Sequence, residues 1–422
     1  MPDKIDVYYE GWGERWLWGT LVSSTALTGR PVILFEYSDE AVRKGLELSS
    51  YTLPLRGARL RRDFPAHQLG LPAPVYDSLP DGWGMLLMDR LFRQRGLNAA
   101  RIGPLERLTY IGANAMGAMS FQPARPEGSP SEDDIPLTQL ASEVQEVLDG
   151  EGGEFLQRLL QMGGSPQGAR PKALLSRDPH SGAFSTKTGP DLENWLIKFP
   201  AKQEHPEVCA VEAVYAQCLR DCDIRTPDTR YFSLPDGQAA FASQRFDRQK
   251  GLRVPMQSLA AFTGANYQSP GALDYTNFLR ATQMCTNDVR EKERAFERVV
   301  FNIAFNNRDD HPKNFAYVMS YSGEWKLAPA YDVTYCEGPG GYHQMDVMGE
   351  ALDIDRKHVF RLGTEEAELT SQQTGLIIEK ICNAAAGFAA MAQKLFQDQI
   401  TAETRSSIQK TINANVKRLL AE

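Results

Sequence analysis

The chain has 422 residues, with 46 Lys and Arg against 54 Asp and Glu, a net charge of −8, and 42% hydrophobic and 24% charged residues. This is the composition of an ordinary soluble globular protein, acidic enough to argue against non-specific nucleic-acid binding. No apolar run reaches the roughly 20 residues that span a bilayer, and the opening MPDKIDVYYEGW has acidic residues where a secretory signal has an apolar core, so a cytoplasmic protein with no membrane association is expected.

The predicted elements begin with a β-rich block. YYEGWGERWLWGTLV (8–22) reads as a hairpin and RPVILFEY (30–37) as a further strand. The basic run RGARLRRDF (56–64) offers a local DNA or partner surface, though a solvated turn is the favoured reading. DGWGMLLMDRLFRQRG (81–96) has the pattern of a helix closed by Gly96, followed by a short helix over 104–111 and a strand at GAMSF (117–121). PARPEGSPSEDDIP (123–136), rich in Pro, Ser, Gly and acid, is the expected linker.

Beyond it, 137–161 reads as helical, 172–176 as a strand, and NWLIKFP (194–200) as a strong strand. Residues 206–222 carry apolar side chains at 208, 211, 215, 218, 219 and 222, a helical period that puts Cys218 and Cys222 on one buried face. TRYFSL, the turn PDG (235–237) and QAAFASQRF form a hairpin. From about 256 onward the pattern is mostly helical, with one hairpin near 315–335. The six cysteines contain no CxxC and no two histidines have zinc spacing, so reduced thiols are expected and zinc hydrolysis is not.

The most informative segment is FNIAFNNRDDHPKNFAYV (301–318), a polar cluster between a helix and a hairpin, where rigid elements can hold catalytic groups on a loop. Asp309 precedes Asn314 by five residues, and Asp332 follows at the hairpin's end. Phosphoryl transfer of the protein-kinase type uses this order. A loop Asp accepts the hydroxyl proton, an Asn binds Mg²⁺, and a second Asp binds the metal that bridges the phosphates. Oxygen ligands suit Mg²⁺.

Such chemistry also needs a Gly-rich phosphate loop, a strand Lys and a helix Glu upstream. GGSPQGARPKALL (163–175), Lys198 in NWLIKFP and Glu212 in the 206–222 helix stand in that order. The Gly stretch is neither a Walker A loop, which continues Lys-Ser/Thr, nor G-x-G-x-x-G. By itself, Lys198 reads equally as an edge-strand lysine and Glu212 as a solvated glutamate.

Together these motifs resemble the HipA family, serine/threonine kinase toxins of bacterial type II toxin–antitoxin systems. The resemblance runs over nearly the whole length. LPDGWG (79–84) and LERLTYIGANAMGAMSF (105–121) are similar to the family's N-terminal subdomain, NNRDDHPKNF with APAYDV to its catalytic and metal signature, SPQGARPKALL to its phosphate loop, WLIKFP to its lysine strand, and SQRFDR (243–248) to its hinge.

The resemblance implies an α+β fold: a β-rich N-terminal subdomain (1–125), a kinase-like N-lobe (136–250) and a helical C-lobe carrying the catalytic loop (251–422). It implies ATP and Mg²⁺ as cofactors, Asp309 as catalytic base, Lys198 on the ATP phosphates, Asn314 and Asp332 on the metal, and His311 at the phosphates. Gln244 and Phe246 would flank the adenine. Gly168 and Lys172 would close the phosphate loop, in which Ser165 is both a nucleotide contact and an autophosphorylation site that switches the kinase off. A helix-turn-helix antitoxin, DNA reached mainly through it, and a protein substrate such as an aminoacyl-tRNA synthetase are the implied partners. The chain departs from the family pattern at Gln244, usually acidic, at Arg170-Pro171, and at Asp310, which puts a second carboxylate beside Asp309. Spacing to Asn314 favours Asp309. Two other classes stay open: a small-molecule phosphotransferase, and an inactive scaffold in an antitoxin–DNA complex.

Overall fold

The structure is a computed structural model that describes residues 3–25, 31–124, 134–150, 156–163, 168–202 and 204–421. The chain divides into two compact units. The first comprises 1–204, 232–257 and 318–323; the second comprises 205–231, 258–317 and 324–422.

In the first unit, β1 (Lys4–Tyr9), β2 (Trp16–Thr25), β3 (Pro31–Tyr37), β4 (Leu60–Arg61) and β5 (Met119–Gln122) form an antiparallel sheet in the order β4-β3-β2-β1-β5. The expected hairpin of 8–22 is thus the second half of β1 and most of β2. Strand alternation buries Ile5, Val7 and Tyr9 on one face of β1. Trp18, Phe35 and Tyr37 cluster with ring centroids 5.0–5.6 Å apart. Gly19 is required there, because a Cβ would sit 2.4 Å from the Phe35 ring and 2.6 Å from the Glu36 carbonyl oxygen.

Helices α1 (Asp39–Lys44), α2 (Ala73–Tyr76), α3 (Gly82–Gln94) and α4 (Pro104–Ile111) complete this block. The single helix expected over 137–161 is instead two, α5 (Leu137–Leu148) and α6 (Leu156–Gly163). Gly150, at φ +91, takes a conformation that a helix interior does not admit. Most of the expected linker (125–133) lies outside the described residues, as does Ser165.

The second sheet of this unit runs β7-β6-β8-β10-β9, built from β6 (Lys172–Arg177), β7 (Phe184–Ser185), β8 (Glu193–Lys198), β9 (Thr229–Ser233) and β10 (Ala239–Gln244). β8 lies between β6 and β10, so Lys198 is on a central strand and not at an edge. Short strands β11 (Arg248–Gln249) and β12 (Leu252–Arg253) pair after β10.

The chain changes unit along β9, β13 (Met256–Ser258) and β14 (Ala316–Met319), and β15 (Trp325–Leu327) follows β14 as the expected hairpin. The second unit is otherwise helical. Its helices are α7 (Glu207–Asp221), α8 (Leu259–Thr263), α9 (Tyr275–Thr286), α10 (Val289–Ala304), α11 (Arg356–Arg361), α12 (Ser371–Ala386), α13 (Phe388–Phe396) and α14 (Ala402–Leu420).

The predicted apolar face of α7 is buried at Val211, Tyr215, Cys218, Leu219 and Cys222. Tyr215 meets Phe305 and Phe388, and Phe301 stacks on Phe305 at 4.0 Å. Burial pushes the Cys222 thiol up to about 12 and Cys218 higher, so both are inert thiols. Among the described residues, no single helix is long and apolar enough to cross a membrane.

Candidate active site

In the second unit, the apolar stripe of α10 carries the chain to Phe305, where the helix stops. Asn306 turns the backbone to φ +56. Its Nδ2 donates to the Cys336 carbonyl at 3.0 Å and its carbonyl accepts from the Cys336 amide at 3.1 Å. These bonds fix the start of a loop that would otherwise leave its polar groups unsatisfied.

The two adjacent carboxylates then diverge. Asp310 is fully buried and accepts three hydrogen bonds: Tyr275 Oη at 2.6 Å, His343 Nδ1 at 2.7 Å and the Gln344 amide at 2.7 Å. Burial, and then the Asp310 charge, push the Tyr275 hydroxyl well above its usual range, so it stays protonated and donates. Asp309 has a side chain 48% exposed. Its Oδ1 accepts from Gln344 Nε2 at 2.9 Å and lies 3.7 Å from His311 Nε2. An acid committed to three buried donors holds structure, whereas a half-exposed one is open to a substrate hydroxyl. This contrast favours Asp309 over Asp310 as the base.

His311 caps a 3₁₀ turn, Pro312–Asn314, and its ring lies 5.7 Å from that of Tyr267. Its Nδ1 is buried with no hydrogen-bond partner among the described residues. Asn314 closes the turn, its amide donating to His311 O at 2.9 Å and its Nδ2 to Asp309 O at 2.6 Å. With the amide nitrogen turned inward, the Asn314 oxygen points the other way.

Asp332 adopts φ +55, a left-handed conformation uncommon for a residue with a Cβ and concentrated at functional positions. The residues before it are pinned. Tyr331 Oη donates to Lys313 O at 2.6 Å, and Ala330 O accepts from Thr226 Oγ1 at 3.0 Å. So Asp309, His311 and Asn314 sit in one turn, and the segment leading to Asp332 is tied to it. A cavity of about 10 Å³, enough for about one water, is lined by Asn302, Asn307, Asp310 and Asn314 among others. Glu212, 2% exposed, is on α7 in this same unit. The structure rules out a solvated glutamate, which its sequence position equally allows.

The first unit holds the other half of the predicted set. Lys172 on β6 and Lys198 on β8 are direct cross-strand partners, and both are buried. Side chains opposite each other share a face, and like charges so placed repel. A phosphate on that face would meet two cations at once. Lys198 also has its ammonium 6.0 Å from the Phe241 ring centroid.

Gly168 begins the described stem of the Gly-rich loop. Its amide donates to the Asp81 carboxylate, and its carbonyl accepts from the Trp83 amide at 3.2 Å. Trp83 Nε1 donates to Lys172 O at 3.1 Å. The DGW segment that opens α3 thus clasps both ends of the stem, 168–172.

At the end of β10, Gln244 pairs in register with Trp195 and is half-buried, as is Phe246. Next to them, Asp247 accepts from Arg245 at 2.7 Å, Arg248 at 2.8 Å and the Gly117 amide at 2.8 Å. Despite burial, the Arg245 and Arg248 charges hold the Asp247 carboxyl well below the usual carboxylate range.

The residues sequence reasoning missed are Gln344, His343, Tyr275, Asp81 and Asp247. The first three lie at least 33 positions from Asp310 or Asp309, with no local spacing to mark them.

The donor chemistry fits a magnesium nucleotide. Asn314 and Asp332 offer hard oxygens of the kind Mg²⁺ takes, and the facing lysines offer cations for phosphate. Among the described residues no cluster of three or more His, Cys, Asp or Glu could hold a metal, so the metal would depend on these two side chains with phosphate and water oxygens.

The family model of the HipA N-terminal domain matches residues 14–122, and that of the HipA-like C-terminal domain matches residues 164–388, just over half of the chain. A Haemophilus influenzae protein described as a putative kinase is 25% identical over 187 residues, covering 41% of this chain and 52% of that protein. The chain therefore aligns with about half the length of that curated relative. The solved Shewanella oneidensis MR-1 toxin–antitoxin complex of HipA, HipB and operator DNA contains a chain that superposes with a TM-score of 0.71 at 16% identity, over 99% of this chain and 97% of that one. That likeness establishes the fold, the α+β architecture of that HipA chain.

Proposed function

Because the chain belongs to the HipA family, we propose that it is a Mg-ATP-dependent serine/threonine protein kinase that acts as the toxin of a toxin–antitoxin pair. The observation that carries this reading is the division between neighbouring carboxylates: Asp310 is spent on three buried donors, while Asp309 is half exposed with Asn314 locked onto its carbonyl. Bound Mg-ATP supplies the transferable phosphoryl group and the charge neutralisation that makes it reactive.

The chain's own residues do the rest. Lys198 and Lys172 hold the phosphates, Gln244 and Phe246 border the adenine, and Asn314 and Asp332 hold the metal with His311 beside the phosphates. Asp309 takes the proton of the attacking hydroxyl.

The substrate class we propose is a protein of translation, such as an aminoacyl-tRNA synthetase. A small helix-turn-helix antitoxin, with DNA reached through it, is the proposed partner, in keeping with the HipB and operator DNA of the Shewanella complex. Self-phosphorylation on Ser165 would place about −1.5 to −2 charges beside the nucleotide phosphates and switch the kinase off.

The test is radiolabelled ATP with purified protein and a cell extract, comparing wild type with Asp309→Asn. Transfer to an extract protein that Asp309→Asn loses supports the reading. Labelling by neither above that of extract alone overturns it and leaves an inactive scaffold; equal labelling by both above that level removes Asp309 as the base. Intact-mass spectrometry of the same two proteins tests Ser165. A phosphate on wild type alone is expected, and a phosphate on both would mean that another kinase places it.

A further inference from the structure

Resting on the kinase reading, we propose that Gln344 is the positioning residue of the catalytic aspartate: its side-chain amide fixes the plane of the Asp309 carboxylate, and Asp310 fixes Gln344.

A carboxylate oxygen only accepts, so the Gln344 atom 2.9 Å from Asp309 Oδ1 is the donating nitrogen. The backbone of Gln344 is itself immobilised from both sides. Its amide donates to Asp310 Oδ1 at 2.7 Å, and its carbonyl accepts from the Gly271 amide at 3.0 Å. His343, one residue earlier, bonds Asp310 Oδ2 at 2.7 Å, where Tyr275 also donates, and Asn302 Nδ2 in turn donates to Tyr275 Oη at 3.1 Å. This chain of bonds runs from the core of α9 and α10 to Asp309. A base on an irregular loop gains most from such an anchor, because proton transfer depends on holding the hydroxyl within hydrogen-bond reach. It also gives the second carboxylate of the Asp309-Asp310 pair a purpose: one performs the chemistry and the other holds the residue that aims it.

Two substitutions of near-equal shape separate this from a packing role. Gln344→Met removes the donor, and Gln344→Glu sets a second carboxylate against Asp309. With radiolabelled ATP and the same protein acceptor, kcat falls about tenfold for Gln344→Met and about 100-fold or more for Gln344→Glu, while KM for ATP stays within twofold. A thermal-melt cycle reads the contact without activity. Gln344→Glu alone lowers Tm by about 2 °C, and adding Asp309→Asn restores it, since donor and acceptor are then merely exchanged.

Equal kcat in wild type and both variants, or a change in KM with kcat intact, would overturn the positioning role while the kinase reading stood. Failure of Asp309→Asn to restore Tm would overturn the contact itself. Absence of Asp309-dependent transfer in the wild type would remove the kinase reading, and with it the role, even if the melting cycle behaved as expected.

Discussion

Asp309 and Asp310 are adjacent and share Gln344, yet one is buried and the other half exposed. Replacing Asp310 with Ala strips the acceptor from a tyrosine hydroxyl, a histidine and a backbone amide in a fully buried site. Unsatisfied buried donors cost about 1–3 kcal/mol each, so Asp310→Ala is expected to unfold the second unit at markedly lower temperature. Asp309→Asn should leave the melting temperature within a degree or two and reduce phosphoryl transfer by about 10²–10⁴-fold. A thermal melt beside a kinase assay checks both; a stable, active Asp309→Asn would end its candidacy as base. Lys198→Ala is expected to weaken a non-hydrolysable ATP analogue at least tenfold in calorimetric titration, since it removes one of the two facing lysines proposed to hold the phosphates. Unchanged affinity would make Lys198 a structural lysine.

Among the elements, the junction of α3 with the loop stem makes the sharpest demand on sequence. Gly82 sits at φ +38, and a Cβ there would lie 2.6 Å from Ala169 Cα and 2.7 Å from Gly168 O. Backbone cannot retreat as a flexible side chain can, so Gly82→Val must push the stem away from Asp81 and Trp83. The expected result is a loss of about 2–4 kcal/mol in urea unfolding together with weaker ATP-analogue binding. A variant that kept both would show that the clasp does not hold the stem of the Gly-rich loop. The same geometry explains why LPDGWG is informative in a segment far from the site: Gly82 supplies the close approach, Asp81 the acceptor and Trp83 the donor to Lys172 O.

At the scale of the molecule, the first unit is stitched through a buried charge network. Asp247, Arg245, Arg248, Arg253 and Glu10 connect β1, the turn at Ala113–Gly117 and the strands after β10. Breaking a buried pair by removing one partner costs about 3–5 kcal/mol, so Asp247→Asn is expected to lower the melting temperature at pH 7 substantially. The sign with pH follows from its depressed carboxyl. A group whose folded pKa lies below the unfolded value contributes fully above that unfolded value, and the contribution fades as pH falls through the folded one. The gap between wild type and Asp247→Asn should therefore hold from pH 7 to about 4 and narrow below it; a gap that widened in acid would contradict the assignment.

What local periodicity and spacing encode is legible in the chain read alone. Alternation marked β1 to β3 and the 3.6-residue period marked α3, α7 and α10, while the D-x4-N spacing before a hairpin singled out Asp309, Asn314 and Asp332 as candidates. Local signals also failed in local ways. The pattern over 137–161 read as helical throughout although α5 ends at Leu148 and Gly150 turns to φ +91, and Lys198 read as readily at an edge as in the sheet's centre. Which of two adjacent aspartates is buried is set by the folded chain, because it depends on Tyr275 and His343, each more than 30 residues away. The same holds for the facing of Lys172 and Lys198, fixed by strand register, and for the clasp of Asp81 on Gly168, 87 residues apart. Hydrogen bonds and register join residues through space, and a single chain read in order records neither.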